Sequence, residues 1–108
     1  MSFISAHVLD AAAGRPAAGI VIGLTDAAGT ELGTAVTDHD GRVGDLGPDR
    51  LDPGDYRVSF AVADYFLARQ VDSFYPRVAV HFTVAAGQAH YHIPLLLSPF
   101  AYTTYRGS

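Results

Sequence analysis

Cysteine is absent from the 108 residues, so neither disulfides nor thiolate chemistry contributes. A small domain without such staples often gains stability by oligomerising. There is no basic run and the net charge is −4, which argues against nucleic acid as the main partner. No stretch approaches the roughly 20 apolar residues of a membrane span, so no membrane partner is expected. Met1 to Val8 has no basic segment followed by a long apolar run, and reads as carrying no signal peptide. The final residues are not a peroxisomal Ser-Lys-Leu, and cytoplasm is the expected compartment. The Gly-x-Ser-x-Gly elbow and the phosphate loop are also missing. Ser98, followed by Pro99, reads as a strand-end residue rather than a nucleophile. Asp38-His39-Asp40-Gly41 has the start of a calcium loop, but Asp49 and Arg50 stand where its bidentate glutamate belongs, so that reading is rejected.

What is present suits one small globular domain over residues 1–108, with 49% hydrophobic against 17% charged residues. Phe3 to Leu9 alternates, with Ile4, Ala6 and Val8 to one side and Phe3, Ser5, His7 and Leu9 to the other. Gly14 and Pro16 mark a loop. Ile20, Ile22 and Leu24 form one face of a second strand, Asp26 to Gly29 a hairpin, and Glu31 to Thr37 a third strand. Asp40-Gly41 favours a turn, with a short strand from Arg42 to Leu46 after it. Tyr56 to Ala63 alternates again, and Asp64 to Gln70 reads as one or two helical turns capped by Asp64. A strand after Pro76 turns Val78, Val80, Phe82 and Val84 inward. The strand from His90 puts Tyr91, Ile93, Leu95 and Leu97 on one face, with His90, His92, Pro94 and Leu96 on the other, and a last strand runs from Tyr102 to Arg106. Seven or eight short strands and one short helix predict a two-sheet antiparallel β-sandwich.

His7 and His92 each fall on the face opposite the core face, beside Leu9 in one strand and Pro94 and Leu96 in the other. An apolar outer face carrying histidine fits an interface or channel wall; it also fits surface histidines beside an ordinary dimer contact, which pattern alone favours. Arg42 offers a permanent fork of donors to an anionic or carbonyl-rich ligand, or is a solvated arginine beside a hairpin. His39 reads as a turn residue and His81 as an exposed strand residue. His90 and His92 share a face and have zinc-ligand character, with His7 as a third ligand if the two strands are neighbours; no carboxylate or thiolate completes the set, and no metal is expected.

Three motifs carry a resemblance. Tyr91-His92-Ile93-Pro94-Leu95-Leu96-Leu97-Ser98-Pro99, followed by Tyr105-Arg106-Gly107-Ser108, resembles the end of the transthyretin-related 5-hydroxyisourate hydrolases. Ala6-His7-Val8-Leu9-Asp10 with Gly14-Arg15-Pro16-Ala17 resembles that family's opening motif, and Thr37-Asp38 with Asp40-Gly41-Arg42 its middle motif. The resemblance covers essentially the whole chain. It implies an all-β, transthyretin-like sandwich of two four-stranded sheets with a short helix after the fifth strand. It also implies hydrolysis of 5-hydroxyisourate, a small-molecule substrate in urate degradation, with no cofactor. Carried over by position, the catalytic residues are His7, Arg42 and His92, and Tyr105, Arg106, Gly107 and Ser108 complete the substrate pocket. The implied assembly is a homotetramer, a dimer of dimers with its sites at a central channel. The alternative is a carrier that binds small ligands in that channel, as transthyretin does; the positions of His7, Arg42, His92 and the terminal tetrapeptide are where that carrier departs from the hydrolases.

Overall fold

The computed structural model describes residues 3–108. In chain order the elements are β1 (Ile4–Asp10), β2 (Arg15–Pro16), β3 (Val21–Asp26), β4 (Glu31–Val36), β5 (Arg42–Val43), β6 (Gly54–Phe60), α1 (Val62–Ala68), β7 (Val78–Val84), β8 (Tyr91–Ser98) and β9 (Ala101–Thr104). One sheet runs β2-β1-β8-β9, and the other runs β4-β3-β6-β7. Strands β2 and β5 share the edge of β1 that β8 leaves free, β5 opposite Ala6 and His7 and β2 opposite Leu9 and Asp10. The core fills the space between the sheets. Ile4, Ala6 and Val8 of β1 meet Ile22 and Leu24 of β3, Val58 and Phe60 of β6, and Leu95 and Leu97 of β8, all at most 1% exposed. Alternation sorted these faces correctly because each strand has one dry side and one wetter side.

Three details differ from the sequence-based expectation. The first sheet has a fifth strand, the two-residue β2, too short to leave a periodic signal. β1 and β8 pair in parallel inside an otherwise antiparallel sandwich. They come from opposite ends of the chain, so a long connection is available and no tight hairpin constrains their direction. The helix begins at Val62 rather than Asp64, with Ala61 at its N-cap and no side-chain cap. Burial sets that start: Val62, Tyr65 and Phe66 stand at i, i+3 and i+4 and all face the core. Phe3 also turns inward, 6% exposed, with its ring 5.5 Å from that of Tyr91.

Two buried polar side chains hold the loops around β1. The Tyr65 hydroxyl donates to Asp10 Oδ2 at 2.7 Å, while Asp10 Oδ1 accepts from the backbone N–H groups of Ala12 and Ala13. Burial, with the Asp10 bond second, pushes the Tyr65 phenol up to about 12, so it remains a donor. Thr37, 4% exposed, donates to the Ala17 carbonyl at 2.7 Å and accepts from Ile20 N–H at 2.9 Å. It thereby ties the segment before β3 to the turn that leads into β5. Thr37→Val keeps the shape but strands both backbone groups, at a cost of about 1–3 kcal/mol. Urea unfolding should show that loss, and unchanged stability would mean that these bonds are dispensable.

Candidate active site

The site is assembled by register. In the parallel pair of β1 with β8, Ser5 lies opposite His92 and His7 opposite Pro94. In the antiparallel pair of β1 with β5, His7 lies opposite Arg42. The outer face of the first sheet therefore collects Ser5, His7, Arg42 and His92 from three strands. The two imidazoles stand with centroids 6.5 Å apart, tilted by 36°. Beside them His7 meets buried Pro94, and Leu9 faces Leu96. This is the mixed histidine and apolar face anticipated from alternation.

A tight turn supplies the third component. Asp38 Oδ1 accepts from the backbone N–H groups of Asp40 and Arg42, each at 2.9 Å. The bond from Arg42 is the main reason the Asp38 carboxyl is held below the usual carboxylate range. Gly41 adopts φ +73°, and its carbonyl accepts from Val8 N–H at 2.7 Å. A side chain there would collide with the Val8 carbonyl, so glycine is required on two counts. The turn is thus pressed onto β1, and Arg42 emerges beside the histidines. Among the described residues no carboxylate pairs with its guanidinium.

The same turn orients His7, whose Nε2 lies 2.9 Å from the Asp40 carbonyl oxygen. A carbonyl only accepts, so Nε2 carries the proton and Nδ1 holds the lone pair. His92 is held differently: its Nδ1 lies 2.8 Å from Ser5 Oγ, leaving Nε2 for chemistry. Burial lowers the His92 pKa, and the nearby His7, Arg42 and His90 lower it further, so its neutral form prevails at pH 7. A cleft of about 350 Å³ opens between Ser5, Arg42, His90, His92 and Ser108, over the backbone of Ala6, Val43 and Gly44. His7 flanks it.

The terminal tetrapeptide divides. Gly107 bridges to β8, its N–H donating to the His92 carbonyl at 2.9 Å, and Ser108 reaches the cleft. Tyr105 and Arg106 turn the other way. Tyr105 is 57% exposed, and Arg106 lies over the Tyr91 ring at 5.0 Å and donates to Gln88 Oε1 at 3.1 Å. His39 is on the exposed turn and His81 on the exposed face of β7, as read from sequence. β1 and β8 are indeed neighbours, yet the nitrogens of His7, His90 and His92 form no common coordination sphere. The grouping of ligand atoms found among the described residues is the exposed Asp38, His39 and Asp40. Ser5 instead lies between His90 and His92. Sequence reading passed over Ser5 and Asp38. Ser5 shares the face of His7 at i and i+2, and an aspartate two residues before Asp40-Gly41 is a turn-forming signal.

A β-sandwich whose outer sheet face joins two imidazoles, a guanidinium and a hydroxyl beside a small cleft has the equipment for acid–base hydrolysis. The chain belongs to the HIUase/Transthyretin family, whose sequence model matches residues 4–107. It is 43% identical over 111 residues to the 5-hydroxyisourate hydrolase of Salmonella typhimurium, covering 99% of this chain and 82% of that one. The structure of Klebsiella pneumoniae 5-hydroxyisourate hydrolase superposes with a TM-score of 0.91 at 31% identity, covering 99% of this chain and 100% of that one. Transthyretin from Sparus aurata also superposes at 0.91, with 32% identity, covering 99% and 97%.

Gly107 offers a test of this geometry. A Cβ there would sit 2.5 Å from His92 Cδ2 and 3.1 Å from its Cγ. Gly107→Ala should rotate the imidazole or lift the terminus, detected as a shift of the His92 ring resonances by NMR with little change in Tm. An unmoved ring would show that the terminus does not pack on it.

Proposed function

We propose that this protein hydrolyses 5-hydroxyisourate to 2-oxo-4-hydroxy-4-carboxy-5-ureidoimidazoline, a step in urate degradation. One observation carries the reading. In a chain of this family, the register of three strands brings His7, Arg42 and His92 together on one sheet face, where Arg42 and His92 line a cleft. His92, kept neutral, takes a proton from water through Nε2. His7, anchored through Nε2, accepts the water's other hydrogen at Nδ1 and aligns it. Arg42 binds the carbonyl-rich edge of the ring and stabilises the oxyanion formed on attack. As the carbon–nitrogen bond breaks, His92 returns its proton to the departing nitrogen. The chemistry is complete with water and these side chains, so no cofactor enters the proposal.

Gly107 and Ser108 close one end of the cleft, and the Ser108 hydroxyl hydrogen-bonds the substrate. We place the site at the contact between two dimers of a homotetramer, where half-buried Leu9 and Leu96 on the same face give apolar contact. Tyr105 narrows the mouth there, and Arg106 braces the terminus through Gln88. Light scattering should return four times the 11.4 kDa of one chain. The equal superposition on Sparus aurata transthyretin makes a carrier the second reading. A carrier would bind an aromatic ligand in the cleft without turnover.

Purified protein mixed with freshly generated 5-hydroxyisourate should accelerate its ultraviolet decay, and decay at the spontaneous rate would end the hydrolase reading. His92→Ala and His7→Ala should each lower kcat by about 100-fold or more. The pH profile follows from the lowered His92 pKa. The neutral imidazole of His92 is the active form, so its ring resonances should titrate below 6.5, the ordinary histidine value, and its protonation should cost kcat/KM only there. The linkage has the same sign for folding: the unfolded chain binds this proton at higher pH, so acidification through the folded pKa destabilises the native state. A His92 ring that titrates above 6.5 would contradict its assignment as base.

A further inference from the structure

The Ser5 hydroxyl has a position that the hydrolytic steps above do not use. Its Oγ lies 2.8 Å from His92 Nδ1 and 2.9 Å from His90 Nε2. Ser5 and His92 are register partners, and His90 precedes β8 by one residue and is exposed. We propose that Ser5 and His90 form a reversible proton relay that carries the positive charge of His92 out to exposed His90 on attack and returns it as the ring opens. The inference rests on the hydrolase reading for its purpose and on these two contacts for its existence.

The chemistry is constrained. A hydroxyl has one proton, so between two imidazole nitrogens it donates to one and accepts from the other. In the state ready for attack, His92 Nδ1–H donates to Ser5 Oγ, and the Ser5 proton points at His90 Nε2. As His92 Nε2 takes the proton from water, its Nδ1 proton moves to Ser5 Oγ while the Ser5 proton moves to His90 Nε2, so the positive charge rests on His90 while the oxyanion exists. As the carbon–nitrogen bond breaks, His92 Nε2 gives its proton to the departing nitrogen, the Ser5 proton returns to His92 Nδ1, and the His90 Nε2 proton returns to Ser5 Oγ. Only N–H and O–H bonds change, no electrons are gained or lost, and every group ends in its starting tautomer. Electrostatics favour this direction, since His92 is faced by His7 from β1 and Arg42 from β5, whereas His90 is exposed. Ser5 is a positioning residue in this scheme, and His90 holds the proton until the ring opens.

Two kinds of measurement test it. Direct acid–base groups are worth about 10²–10⁴-fold, and an outer proton acceptor that bulk water can partly replace is worth about tenfold. His90→Ala should therefore lower kcat about tenfold in dilute buffer, leave KM unchanged, and recover with added imidazole buffer. Ser5→Ala should lower kcat at least as much without recovery, and Ser5→Thr, which keeps the hydroxyl on a strand, should restore it. A His90→Ala enzyme with unchanged kcat in dilute buffer, or a loss that imidazole leaves untouched, would overturn the relay. The second measurement needs no activity: ¹⁵N NMR of the two rings should show coupled titrations in the wild type and independent ones in Ser5→Ala. Coupled titrations without any turnover would retain the relay and end the hydrolase reading. Turnover with independent titrations in the wild type would do the reverse.

Discussion

Everything at this site depends on the parallel pairing of β1 with β8. Seven residue pairs run in step from Ile4 opposite Tyr91 to Asp10 opposite Leu97. That register buries Ile4, Ala6 and Val8 with Ile93, Leu95 and Leu97 while it presents Ser5 and His7 beside His92. Because side chains alternate, a slip of one residue would send the apolar set outward and the histidines into the core. The hydrophobic burial that stabilises the sandwich therefore also holds the reactive face in alignment. No separate device is needed to bring His7 and His92 together across 85 residues of sequence.

A second constraint is electrostatic. His7, Arg42, His90 and His92 crowd one sheet face, and burial adds to their repulsion on His92. The net charge of the whole chain is −4, so this local positive character comes from placement rather than composition. All the permanent cations in the sequence are arginines. Arg42 thus contributes a permanent charge beside the imidazoles. The turn that delivers Arg42 is fixed from below by Asp38 and Gly41 and from behind by Thr37. This fixes where the charge enters the cleft and leaves the guanidinium itself available.

Much of this could be read in the sequence, for identifiable reasons. Strands with one dry face reveal themselves by alternation, so the core sides of β1, β3, β6, β7 and β8 and the outward placement of His7 and His92 were legible. Strand direction was not, because periodicity is the same for parallel and antiparallel neighbours. A two-residue strand such as Arg15–Pro16 has no period to detect. The start of the helix was misplaced because Asp64 has the chemistry of a cap, whereas burial of Val62 decided the boundary. Ser5 was passed over because a lone serine on a strand carries no signal. Its meaning arises only when β8 lies alongside and two imidazoles approach it. Tyr105 and Arg106 show the converse limit: the motif places them in the pocket by resemblance, while in the structure Arg106 turns to Tyr91 and Gln88 and Tyr105 stays exposed.

The fold alone does not distinguish a hydrolase from a carrier, since one of each superposes on it equally well at nearly equal identity. The distinction lies in what holds the two rings. His7 leans on a backbone carbonyl, which can only accept, so its tautomer is fixed and its lone pair always sits on Nδ1. His92 leans on a hydroxyl, which can both accept and donate, so its tautomer can change during a reaction. A binding site gains little from that asymmetry, because a ligand needs each ring in one state. A proton-transfer site needs it: one ring must keep water aligned while the other changes protonation. In the proposed mechanism, two histidines of the same chemistry thereby take different tasks from a carbonyl and a hydroxyl, placed on them by one turn and one neighbouring strand.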